Sequence, residues 1–218
     1  MARTKVVLNA GKMRKMVGET IYSVCKTSKN REKMDRELGI VSDRLRREFD
    51  EHKVTMEIAD GPSVENNPSG LLGGYGGLFS FIGFTKDSDP LAPIRRIIDE
   101  QRFRIKSGNG VLKRGDVVTI QIEGPSPQAI FGVTSMPWAE GRSWAKGIEQ
   151  GISGLGFYLN LTEADENSWS SRGLQTRQKI ERSHPSLTKF KNEPYISRMI
   201  SEKMKEAVQS LTSGGVLL

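Results

Sequence analysis

Along the chain the spacing of apolar residues changes several times, and each change predicts a different element. Met13, Met16, Val17, Thr20, Ile21, Val24 and Cys25 recur every three or four residues, the period of an amphipathic helix with a narrow apolar face. Residues 27–30 interrupt it. Met34, Leu38, Val41, Leu45 and Phe49 then resume the period, with Arg36, Glu37, Arg44, Arg46, Arg47 and Glu48 between them. Residues 11–51 therefore form a helical hairpin or one long, bent helix. Val54, Met56 and Ile58 alternate with Thr55 and Glu57, which predicts a short half-buried strand.

Further on, Asp89 precedes Pro90, and Ile94, Ile97 and Ile98 supply the apolar side of a short helix capped by that aspartate. Alternating positions predict strands over residues 102–106 and 117–123, with a third over 130–134. Between Ser143 and Leu159 a stripe of Ile148, Ile152, Leu155 and Leu159 runs beside Gly147, Gly151 and Gly154. Those glycines either admit another backbone closely or serve turns in a partly irregular stretch. Residues 163–172 are polar and read as a loop. Asn192-Glu193-Pro194 opens a last helix, with Ile196, Met199, Ile200, Ala207, Val208 and Leu211 on one face and Gly214-Gly215 as its stop. The fold class that follows is α+β, a single domain over residues 1–218. Its N-terminal and C-terminal helices, 11–51 and 194–211, pack on a small antiparallel sheet built from 54–58, 102–106, 117–123 and 130–134.

One segment fits neither period. Gly70 to Phe84 holds six glycines, four aromatics and no charge. Glycine is costly to order, and exposed leucines and aromatics are costly to hydrate, so such a loop predicts a surface that another subunit covers. Residues 66–88 are accordingly expected to form an extended glycine- and aromatic-rich interface loop, with Leu71, Leu72, Tyr75, Leu78, Phe79, Phe81 and Phe84 as its apolar contacts. Its apolar part is too short to cross a bilayer.

Charge sharpens this picture. The formal net charge is +7, and residues 1–53 carry fourteen Lys/Arg against eight Asp/Glu, six of the seven positive charges. Such a surplus attracts polyanions or acidic protein surfaces, or it keeps a helical face solvated. Catalytic chemistry finds no matching pattern. Cys25 is the single cysteine, so no internal disulfide forms and a reducing compartment is expected. His52 and His184 have no partner at metal-ligand spacing, and the glycines of 70–77 fit no phosphate-binding loop. Neither a G-x-S-x-G elbow nor a secretory signal is present, and the carboxylates Glu163/Asp165 and Asp87/Asp89 read as loop and cap residues. No enzyme activity, cofactor or metal is expected.

In order, the parts are a basic amphipathic helix, a small strand system, the segment PWAEGRSWAKGIEQGISGLGFYL from Pro137 and the segment FKNEPYISRMISEKMKEAV from Phe190. This layout resembles the neck, or tail-completion, proteins of tailed bacteriophages, subunits of the ring between the DNA-filled head and the tail. In that family a helix precedes a sheet, an aromatic-Glu-Gly segment follows the strands, and a proline motif with an aromatic residue opens the last helix. Trp138-Ala139-Glu140-Gly141 and Pro194-Tyr195-Ile196 take those places here. The resemblance implies a non-catalytic virion subunit, made in the host cytoplasm and assembled as a homo-oligomeric ring, a hexamer or a dodecamer. It adds Trp138, Trp144 and Tyr195 to the interface residues. Other neck, portal-adaptor or tail subunits and nonspecific DNA in the channel are the implied partners, with no membrane. The alternative is a basic nucleic-acid-binding module without catalytic activity.

Overall fold

A computed structural model describes residues 2–9, 27–63, 68–72, 77–107, 111–114, 117–152, 157–160, 168, 173–176 and 190–213. The fold is α+β. The chain divides into two compact units. The first comprises Met1–Arg47, Ile97–Pro127 and Arg198–Leu218, the second Glu48–Arg96 and Gln128–Ser197.

The first unit is organised by one strand. β4 (Val117–Gly124) pairs antiparallel with β1 (Ala2–Asn9) over eight residues, from Ala2↔Gly124 to Asn9↔Val117. It pairs also with β2 (Arg104–Ile105) and β3 (Val111–Arg114). Ile120 and Ile122 of β4 are buried. β1 was not foreseen, because ARTKVVLN shows no alternation and its partner lies more than a hundred residues away. Gly124 ends β4 where a side chain has no room: a Cβ there would lie 2.3 Å from the Phe103 ring.

α1 (Ser28–Glu51) turns Met34, Leu38, Val41, Leu45 and Phe49 inward, as the period predicts. A neighbouring stripe of the same helix meets the backbone at β2. Ser42 Oγ accepts from the Phe103 N–H at 2.9 Å, Asp35 Oδ1 from the Ile105 N–H at 3.2 Å, and Arg31 donates to the Lys106 carbonyl at 3.1 Å. Positions 31, 35 and 42 lie on one line of a helix, so α1 satisfies backbone groups that an edge strand would otherwise present for unwanted pairing. α7 (Ile196–Ser213) buries Met199, Ile200, Met204, Ala207 and Leu211, and Arg44 of α1 pairs with its Glu206. The expected helix over residues 11–26 lies outside the described residues, as do the loop at 163–167 and 169–172 and the Gly214-Gly215 stop.

In the second unit two expectations are corrected, and a third, left open between two readings, is resolved in part. Residues 54–58 are not a strand: α2 spans Lys53–Ala59, with His52 as N-cap accepting from the Val54 N–H. The apolar alternation is real, but Val54, Glu57 and Ile58 are buried at helical spacing and Met56 is 46% exposed. Residues 130–134 are likewise helical. α5 (Pro127–Val133) starts with proline in its first turn, buries Ile130 and leaves Val133 44% exposed, and Thr134 Oγ1 donates back to the Ile130 carbonyl. The stripe of 143–159 is divided. α6 (Trp144–Gln150) stops at Gly151, whose φ of +94° breaks the helix, and Phe157–Asn160 forms β7, paired with β8 (Gly173–Thr176). The remaining elements are α3 (Leu78–Ile82), α4 (Ala92–Glu100) and the hairpin of β5 (Ser135–Met136) with β6 (Ala139–Ser143). Asp89 caps α4 as expected, its Oδ1 accepting from the Leu91 and Ala92 N–H groups. Among the described residues no helix is long and apolar enough to cross a membrane.

Candidate functional site

The residues predicted to meet another subunit are largely covered by their own chain. Leu71, Leu72, Leu78, Phe79, Phe81, Phe84, Trp144 and Tyr195 are all buried, and Tyr75 lies outside the described residues. The correction has a physical reason: partners for these rings are intramolecular. Phe81 stacks on Phe190 at 5.5 Å between centroids, Phe84 meets Trp144 edge-on at 5.6 Å, and Phe79 packs against Phe84 at 5.3 Å. Five of the glycine-rich residues become a helical turn, α3, closed by Gly83 at φ +88°. Trp138 remains half-exposed, its indole N–H donating to the Ile82 carbonyl at 2.9 Å.

A residue that the sequence did not single out holds this segment in place. Glu57 is buried on α2; its Oε1 accepts from the Leu78 N–H at 2.9 Å, and its Oε2 accepts from the Ser69 N–H at 3.2 Å and from the Ser69 hydroxyl. One carboxylate therefore fixes both flanks of residues 70–77. Burial raises its pKa above the ordinary carboxylate value, the hydrogen bonds from Ser69 and Leu78 opposing that shift and Asp60 adding to it. The only signal in the sequence is an acid at the i+3 position between Val54 and Ile58.

The Pro194-Tyr195-Ile196 motif is anchored in the same unit. The Tyr195 hydroxyl shares a hydrogen bond of 2.5 Å with Thr55 Oγ1, and its ring packs on Phe49 and His52. Burial pushes its phenol pKa well up. Glu149 Oε1 accepts from the Ser197 N–H at 2.6 Å, capping the start of the last helix.

The Trp138-Ala139-Glu140-Gly141 segment borders an open cleft of about 220 Å³ formed within residues 136–152. Here the β5–β6 ladder jumps from Met136↔Ala139 to Ser135↔Ser143, so Glu140, Gly141 and Arg142 bulge out of register, with Gly141 at φ +74°. Arg142 and Lys146 line the cleft with Ser143 and Gln150, beside apolar Met136 and Ile152. None of the described residues that line it is a carboxylate. Arg142 Cζ sits 5.6 Å from the centre of the Trp138 ring. Ser143 Oγ accepts from the Lys146 N–H at 3.0 Å and is bonded to Thr134 Oγ1 at 2.7 Å, which fixes the strand-to-helix corner. Gly147 is required beside the cleft, because a Cβ there would lie 2.8 Å from Ile152 and 3.2 Å from Met136. Sequence reading saw the glycine spacing but not the cleft, since the bulge that opens it has no local signature.

Among the described residues no group of His, Cys, Asp and Glu could hold a metal ion. Compared with protein families, with curated proteins and with solved structures, the chain matches none.

Proposed function

We propose that the chain is a structural subunit of the neck of a tailed bacteriophage, joining head to tail as part of a homo-oligomeric ring in the virion. The observation that supports this reading is the order of parts that follows β1: a helix with a basic outer face, then, after three shorter helices, the strands β2 to β4, the Trp138–Gly141 hairpin, and a last helix opened by Pro194-Tyr195. That order is the one in which the neck family arranges its helix, sheet, aromatic-Glu-Gly segment and final helix. Leu71, Leu72, Leu78, Phe79, Phe81 and Phe84 are buried within the chain, and of the described predicted contacts Trp138 keeps exposed area. Light scattering on the purified protein, followed by electron microscopy, tests the reading. A ring of fixed subunit number supports it, and a monomer at every concentration, encoded among metabolic genes rather than beside portal or tail genes, overturns it.

A second reading, a basic nucleic-acid-binding module, rests on one stripe of α1. Lys29, Lys33, Arg36 and Arg47 are exposed on the side opposite the buried face, around the exposed Ile40. Much of the surrounding positive charge is already committed, because Arg44 pairs with Glu206, Arg46 with Asp99, and Arg102 with Asp43.

A further inference from the structure

We propose that the outer stripe of α1 is a docking surface for an acidic helix of a partner protein, one that carries an apolar residue at its centre. Lys29, Lys33, Arg36, Ile40 and Arg47 are exposed and follow one another at helical spacing. At 1.5 Å of rise per residue they make one line about 27 Å long. It runs on the side of the helix away from the buried Met34, Leu38, Val41 and Leu45. A compact anion spans a small part of such a line, whereas a second helix laid along it reaches every cation.

The middle of the line has the anatomy of an interface centre. Ile40 is 42% exposed, and ion pairs stand on both of its flanks. On one, Arg102 donates to the Gly39 carbonyl at 2.9 Å and to Asp43 at 2.6 Å; on the other, Arg44 pairs with Glu206. An apolar spot rimmed by fixed polar groups is where a partner's apolar side chain is shielded from water. The backbone is already set, because Ser42 and Asp35 accept from the Phe103 and Ile105 N–H groups and Arg31 donates to the Lys106 carbonyl. Docking then orders side chains alone. The rim also selects the chemistry. Asp43 and Glu206 repel a phosphate backbone passing over Ile40, whereas a partner helix can set its carboxylates against Lys29, Lys33, Arg36 and Arg47 and its apolar residue against Ile40. All these groups belong to the first unit, so the inference does not depend on the neck reading.

The test is fluorescence anisotropy of two labelled helical peptides titrated with the full-length protein at physiological salt. One peptide carries glutamates spaced to oppose the four cations and a leucine to oppose Ile40; the other has the same composition in scrambled order. Saturable binding of the first, about tenfold tighter than that of the second, is expected. Ile40→Ser should weaken it about tenfold, and Lys33→Glu with Arg36→Glu should abolish it, both variants keeping the wild-type melting temperature because these positions are exposed. A peptide with lysines opposite positions 33 and 36 should recover binding to the charge-reversed variant. No binding of the first peptide, equal binding of the scrambled one, unaltered affinity of Ile40→Ser, or displacement of the peptide by duplex DNA at the same salt would each overturn the proposal.

Discussion

Glu57 and Leu78 are joined across twenty-one positions of chain, the buried carboxylate accepting the first N–H of α3 at 2.9 Å. That N–H has no partner within the helix, so the glutamate acts as a cap delivered from another element. With Ser69 on its second oxygen, Glu57→Ala strands three donors in a buried setting. A loss of about 3 kcal/mol is expected by urea denaturation, from roughly 1 kcal/mol or more per unsatisfied group. A loss below about 1 kcal/mol would mean that the flanks of residues 70–77 hold themselves.

The same residue gives stability a pH dependence of known sign. Burial raises the folded-state pKa of Glu57 above the ordinary carboxylate value of 4.5, the hydrogen bonds from Ser69 and Leu78 lowering it less than burial raises it. In the window above 4.5 the folded state holds a proton that the unfolded state has released, so stability falls as pH rises through it. This contribution is complete below the unfolded value and gone above the folded one. Subtracting the pH profile of Glu57→Ala from that of the wild type should leave a descending step above pH 4.5; a flat or ascending difference would contradict it.

How far the sequence foretold these arrangements depends on the length of each element and the distance to its partner. α1 and α7 were legible because Met34 to Phe49 and Ile196 to Leu211 keep helical spacing over several turns. α2 and α5 were not: five residues such as VTMEI satisfy both periods, and the deciding facts are the His52 cap and the buried Glu57. The adhesive character of Leu71 to Phe84 was legible, but its partner was not. Composition says that such rings need cover, whereas only the fold shows that Phe190 and Trp144 supply it.

That cover leads to a prediction opposite to the one an open interface loop would give. Phe79 is buried against Phe84, so Phe79→Ala should cost about 3–5 kcal/mol of subunit stability. The loss should appear at protein concentrations too low for any association. If instead stability is unchanged and only the sedimentation coefficient falls, these rings serve an interface after all.

Gly124 and Phe103 offer a tighter packing test within the first unit. A methyl group on Gly124 would meet the Phe103 ring at 2.3 Å, so Gly124→Ala should destabilise by about 1–3 kcal/mol. Phe103→Leu alone should also destabilise, yet the two together should cost less than their sum, because the smaller side chain vacates the space the methyl needs. An additive double-mutant cycle would show that the strand end yields instead of the ring.

The exposed stripe of α1 separates the two functional readings by salt. Lys29, Lys33, Arg36 and Arg47 can each neutralise one phosphate, and four such contacts lose about a thousandfold in affinity between 20 and 150 mM monovalent salt. A filter-binding titration of the isolated subunit with duplex DNA should therefore show retention at the lower salt and none at the higher. Replacing Lys29, Lys33 and Arg36 by glutamate should remove the low-salt retention while leaving the melting temperature nearly unchanged, because all three are exposed and touch no part of the buried face. Exposed Ile40 at the centre of the stripe and Asp43 beside it, held by Arg102, suit a protein surface better than a row of phosphates. Ring assembly should accordingly respond to Ile40→Ser, and DNA retention should not. Tight DNA binding that survives 150 mM salt would reverse this order and make nucleic acid the principal partner.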